Sequence, residues 1–124
     1  MSEAAATGAL PPVISGYLAA SDRGDSEAVV RCFAEDAVVV DEGQEWRGTA
    51  AIRRWRDTVA TAYDYTVQVT GAKAVGEVDG VERHDVYLHL EGNFPGGEVD
   101  LTNRLALRDG RIARLEIVPT EAGP

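Results

Sequence analysis

VYLHLEGNFPGGEVDLTNRLALRDGRIARLEIV, residues 86–118, alternates apolar and polar positions through three runs separated by two glycine-bearing reversals. A period of two is the signature of strands with one buried face. Asp109-Gly110 is a tight hairpin signal, and Gly92 to Gly97 makes a looser reversal. Pairing Glu91 with Glu98 puts Val86, Leu88 and Leu90 on one face with Asn103, Leu101 and Val99. On the other face Asp85 meets Arg104 and His89 meets Asp100, both favourable cross-strand pairs. A slip of one residue would bury Arg104 and Arg108, so the register is well specified. A three-residue loop, Arg108-Asp109-Gly110, would then set Asn103 opposite Leu115 and Leu101 opposite Ile117.

Working back toward the N-terminus, Asp79-Gly80 marks a further hairpin and Tyr65 begins the period-two pattern. Four long antiparallel strands are expected from there on. Upstream the pattern is helical. Pro11-Pro12 suits a helix entry, and Val13, Ile14, Tyr17 and Leu18 form its stripe up to Gly24. Asp25 caps a second helix with the stripe Ala28, Val29, Cys32 and Phe33. Ala37 to Asp41 reads as a short strand between helices. Thr49 is the expected cap of a third helix carrying Ile52, Trp55 and Val59 on one face, with Arg53, Arg54 and Arg56 on a solvated one. The fold class is therefore α+β: three N-terminal helices packed on a curved antiparallel sheet. Residues 1–10 read as a disordered arm, 11–119 as the domain and 120–124 as a tail.

One position breaks the apolar face of the sheet. Asn103 sits among Val86, Leu88, Leu90, Leu101, Leu105, Leu107, Leu115 and Ile117. A buried amide without a partner costs roughly 1–3 kcal/mol, so it is either satisfied structurally or reserved for a ligand.

Composition narrows the partners. The formal charge is −9, from 21 acidic against 12 basic residues, which argues against nucleic acid and against an anionic membrane surface. No stretch approaches the ~20 apolar residues of a membrane span. The start of the chain lacks the basic and apolar regions of a signal peptide, so a cytoplasmic location is expected. The single cysteine excludes an internal disulfide, and Cys32 reads as a small core residue. Neither His84 nor His89 has a metal-ligand partner at useful spacing along the chain. His84 shares parity with Val86 and reads as a rim histidine or a second base, while His89 lies on the outer face. No metal and no cofactor are expected.

Three helices followed by a curved sheet, with YLAASDRGD at 17–25, FAEDAVVVD at 33–41 and GTAAIR at 48–53, resemble the SnoaL-like branch of the nuclear transport factor 2-like superfamily. Within it the chain is most similar to bacterial ketosteroid isomerases. The resemblance implies a cystatin-like cone around an apolar pocket. It places the general-base aspartate on Asp41, the oxyanion-binding tyrosine on Tyr17, and the protonated aspartic acid on Asn103. The sequence departs from that pattern: Asn103 replaces the acid, Arg56 and Phe33 stand where tyrosines are often found, and Glu42 follows Asp41 where proline is common.

The implied activity is a cofactor-free enolisation of a small hydrophobic carbonyl compound, of the isomerase or polyketide-cyclase kind. A carboxylate beside the substrate carbon and donors aimed at the oxyanion are what that chemistry requires. Phe33, Trp55 and Val59 would line the pocket from the helices. Val86, Leu88, Leu90, Leu101, Leu115 and Ile117 would line it from the sheet. The alternatives are a non-catalytic small-molecule binder and a dimerisation module. In the blander reading of each residue, Asp41 starts a turn, Tyr17 fills the core, and Asn103 pairs with Tyr17. A homodimer through the outer sheet face is also expected, from the mixed row Tyr87, Thr102, Arg104 and Ala106 flanked by Asp85, His89 and Asp100. Arg83 and Asp85 resemble the Arg-x-Asp of limonene epoxide hydrolases, but their parity faces away from the pocket.

Overall fold

Pro12 opens helix α1 (Pro12–Asp22), where its missing N–H leaves no helical hydrogen bond unmade. The computed structural model describes residues 10–60 and 62–120, so the arm at 1–9 and the tail at 121–124 lie outside the described residues. Leu10, assigned to the arm from sequence, is buried in the core. Helix α1 buries Ile14, Tyr17 and Ala20, and the chain leaves it through Gly24 at φ 71°. Asp25 caps α2 (Ser26–Arg31) as expected, its Oδ1 accepting from the Ala28 amide at 3.1 Å.

The second helix is shorter than its stripe. Strand β1 (Phe33–Asp41) begins at Phe33, four residues before the expected start. The cause is non-local: the Ile112 amide donates to the Cys32 carbonyl at 2.8 Å, and Phe33 pairs with Ile112 across the sheet. Sheet pairing overrides helical spacing there. Cys32 is half-buried, and burial raises its thiol pKa, as befits a structural residue.

A strand that the sequence did not announce follows. Glu42 and Gly43, both at positive φ (53° and 77°), turn the chain into β2 (Gln44–Arg47). Helix α3 (Gly48–Trp55) then starts without a side-chain cap; its N-cap is Arg47, and Thr49 lies inside it. A π-helical turn (Arg56–Ala60) extends it.

Strands β3 (Tyr65–Val78), β4 (Val81–Gly92), β5 (Glu98–Arg108) and β6 (Arg111–Pro119) complete a sheet of order β2-β1-β6-β5-β4-β3. The sheet is mixed rather than wholly antiparallel, because β1 runs parallel to β6. The β4–β5 register matches expectation, with Val86 opposite Asn103 and Glu91 opposite Glu98. The β5–β6 register differs by two residues: Arg108 pairs with Arg111 around a two-residue turn, and a bulge follows between Ala106 and Leu107. Asn103 therefore faces Ile117, and Leu105 faces Leu115. From Leu101 to Ala106 the shift is even, so those side chains keep their expected faces, while the bulge brings Ile112 inward opposite Leu107. The core between helices and sheet holds Ile14, Val29, Phe33, Val39, Ile52, Trp55, Val86, Ile112 and Leu115, all essentially inaccessible to water. Among the described residues no helix is long and apolar enough to cross a membrane.

Candidate functional site

Asp41 is the last residue of β1, where the strand leaves the core. Its Oδ2 accepts a hydrogen bond from the Trp55 indole Nε1 at 3.0 Å. Trp55 closes the buried face of α3, so a central strand and a packed helix both hold the carboxylate in place. Tyr17 comes from α1 and is 4% exposed, its ring edge-on to Phe33 at 5.8 Å between centroids.

A fourth group, missed from the sequence, completes the cluster. Arg56 was read as solvated, yet it is 2% exposed, and its Nη1 donates to Ser21 Oγ at 3.1 Å. The signal was present: Ile52, Trp55 and Arg56 stand at i, i+3 and i+4, one helical face. Val59, expected to line the pocket, is 37% exposed, because it falls in the π-helical turn, whose wider winding changes the facing of residues beyond Trp55.

The phenol of Tyr17 is pushed well above the ordinary tyrosine range, chiefly by burial. Arg56 opposes that rise, while Tyr65 and Asp41 add to it. Burial raises Tyr65 as well, with Arg56 lowering and Asp41 raising it. Both phenols thus feel the charges of Arg56 and Asp41, which places the two tyrosines near those groups in one interior. Tyr65, not singled out from the sequence, starts β3 and sits edge-on to Phe94 at 6.4 Å, and Tyr63 also sits edge-on to that ring at 6.1 Å.

Asn103 is 3% exposed on the inner face of β5, between Val86 and Ile117. Among the described residues its side chain makes no hydrogen bond, so the expected alternative of an Asn103–Tyr17 pair is not formed. Phe33, Trp55, Val86, Leu88, Leu90 and Leu115 are buried as expected, with Leu101 and Ile117 partly so. His84 is a rim residue paired with Glu82 at 3.2 Å. Two open cavities lie elsewhere. One of about 330 Å³ on the outer sheet face is lined by Arg83, Asp85, Arg104 and Arg114, and one of about 460 Å³ lies beside Asp36 and Arg108. Neither is lined by Tyr17, Asp41, Arg56 or Asn103.

Residues 14–115 match the SnoaL-like domain model. The chain belongs to the SnoaL-like domain family. This SnoaL-like domain is 36% identical to a candidate polyketide cyclase from Sinorhizobium meliloti, over 90% of this chain and 98% of that one, with a TM-score of 0.81. The orange carotenoid protein of Anabaena (Nostoc), solved with canthaxanthin, shares the fold at a TM-score of 0.81 and 16% identity, over 91% of this chain and 37% of that one. A Catenulispora acidiphila protein with a ketosteroid isomerase-like fold, in complex with trimethylamine, aligns at a TM-score of 0.72 and 19% identity, over 89% of this chain and 86% of that one. No curated protein sequence matches it. Family and α+β cone are thus as the sequence implied.

Proposed function

We propose that this SnoaL-like domain enolises a small, largely apolar carbonyl compound without a cofactor, as an isomerase or a cyclase would. Asp41 removes the proton beside the carbonyl, while Tyr17 and Asn103 donate hydrogen bonds to the enolate oxygen. The observation that carries this reading is the pair of buried side chains, Tyr17 and Asn103, that no hydrogen bond satisfies among the described residues. Each keeps a donor free to bond a ligand, and an oxyanion is the partner that uses such donors best. Arg56 adds positive charge to the same interior, where developing negative charge is otherwise unscreened. The likeness to a candidate polyketide cyclase is in keeping with this chemistry.

Deuterium exchange at the carbon beside the carbonyl of a bound fused-ring ketone tests the reading. Asp41→Asn is expected to slow exchange by several orders of magnitude while enolate-like phenols still bind. Exchange at the parent rate in that variant would overturn it. The second reading is a non-catalytic binder of apolar ligands. It would be supported if phenols or ketones bind but no variant alters exchange.

Assembly as a homodimer through the outer sheet face belongs to the same proposal. That face alternates Arg83, Arg104 and Arg114 with Asp85 and Glu116, a pattern that complements itself under a two-fold axis. Thr102 contributes less than its position suggests, because its Oγ1 is already bonded to Thr120 at 2.8 Å. A sedimentation mass near one chain at tens of micromolar would count against the dimer.

A further inference from the structure

At the far end of the β4–β5 ladder, four side chains of the outer face form a two-by-two block: His89 and Glu91 on β4, opposite Asp100 and Glu98 on β5. The expected cross-strand pairs, His89 with Asp100 and Glu91 with Glu98, both form, and the structure brings the two pairs into contact with each other. His89 Nδ1 lies 2.6 Å from Asp100 Oδ1. Its Nε2 lies 3.0 Å from Glu91 Oε2 and 3.3 Å from Glu98 Oε1.

We propose that His89 Nε2 and the Glu91 and Glu98 carboxylates bind one divalent first-row transition metal ion, with Asp100 orienting the imidazole from its other nitrogen. The first argument is spacing. Two ligand atoms about 2.1 Å from one ion, at tetrahedral or octahedral angles, stand about 3.0–3.4 Å apart. Both Nε2–oxygen separations fall in that window, and the three ligand atoms all lie within 4.8 Å of one another.

The second argument is tautomeric. Asp100, as a carboxylate, accepts from Nδ1–H, so an Nε2 that gives up its proton to a metal presents its lone pair between Glu91 and Glu98. A carboxylate behind a ligating imidazole is the usual way proteins aim such a nitrogen at a metal. A lone proton on Nε2 would point at one glutamate and leave the other unanswered, although the two are direct cross-strand neighbours. A divalent ion answers both.

The third argument is the absence of a competing cation. Among the described residues His89 is the only ionic partner of Glu91 and Glu98. The adjoining positions on β3 are Thr66 and Gln68, and Thr120 stands beside Asp100, all neutral. One imidazole and two carboxylates leave coordination positions for water and suit zinc, cobalt(II) or nickel rather than calcium. An ion here would tie together the base of the hairpin that carries Phe94, whose ring contacts Tyr65 at the edge of the interior.

The test uses the untagged full chain, zinc chloride in a non-coordinating buffer, and long-range proton–nitrogen spectra of the two histidines. One equivalent of zinc should bind saturably. The His89 Nε2 resonance should move while its Nδ1 proton is retained, and His84 should not respond. His89→Gln should abolish binding, and Glu98→Gln should weaken it at least tenfold with an unchanged metal-free melting temperature. Binding that survives His89→Gln, a response at His84, equal affinity in Glu98→Gln, or no saturable binding would each overturn the site.

Discussion

The Trp55 indole donates to Asp41 Oδ2 at 3.0 Å, joining the end of a central strand to the buried face of α3. That single bond makes Trp55 a reporter for the carboxylate proposed to do the chemistry.

Trp55 emission should therefore respond to occupancy of the interior. Titration with phenols or fused-ring ketones is expected to shift its fluorescence, and Trp55→Phe should remove most of the change. Because Trp46 is also present, the Trp55→Phe control assigns the signal. Unchanged emission at saturating ligand would show that no ligand reaches Asp41.

Replacing Asn103 by Leu separates binding from stability. The amide is buried without a hydrogen bond among the described residues, so the folded state should lose little, and the melting temperature should hold or rise. Phenol affinity should fall by roughly 1–3 kcal/mol, the value of a hydrogen bond to a charged group. A variant that melts lower and binds equally would assign Asn103 to the scaffold.

The alkaline behaviour follows from Tyr17. Burial raises its phenol above the ordinary value of 10.0, so the folded chain holds that proton more tightly than the unfolded one. A raised pKa contributes stability that is fully present below pH 10 and is lost as pH rises through the folded-state value. Exchange activity should likewise lack an alkaline limb up to about pH 10, since neither the phenol nor the Asn103 amide loses its donor there. Absorbance titration should show Tyr17 and Tyr65 ionising above the ordinary tyrosine value of 10.0. Ionisation of either at that value in the folded protein would contradict this.

Gly92 ends β4 against the start of β3. A Cβ there would collide with the Asp64 carbonyl and stand 2.8 Å from Tyr65 Cα, both parts of the backbone. Gly92→Ala should cost roughly 1–3 kcal/mol by forcing the strands apart, and it should displace Tyr65 from the interior. Denaturant unfolding measures the first effect. The second would appear as an altered Tyr65 titration.

The period-two run from Val86 to Val118 determined the sheet's inner face, the β4–β5 register and the isolation of Asn103, because alternation and turn chemistry act between near neighbours in the chain. Asp25 capped its helix for the same local reason. The early start of β1 at Phe33 and its parallel pairing with β6 depended on a strand some eighty residues away, which no local period reveals. The side of Arg56 lay between these cases: its spacing from Ile52 placed it inward, but its charge argued for solvent, and only the Ser21 hydroxyl and the neighbouring polar groups of the interior make its burial tolerable. That His89 Nε2 reaches both Glu91 and Glu98 was decided by side-chain placement on the paired strands, which the register alone does not give.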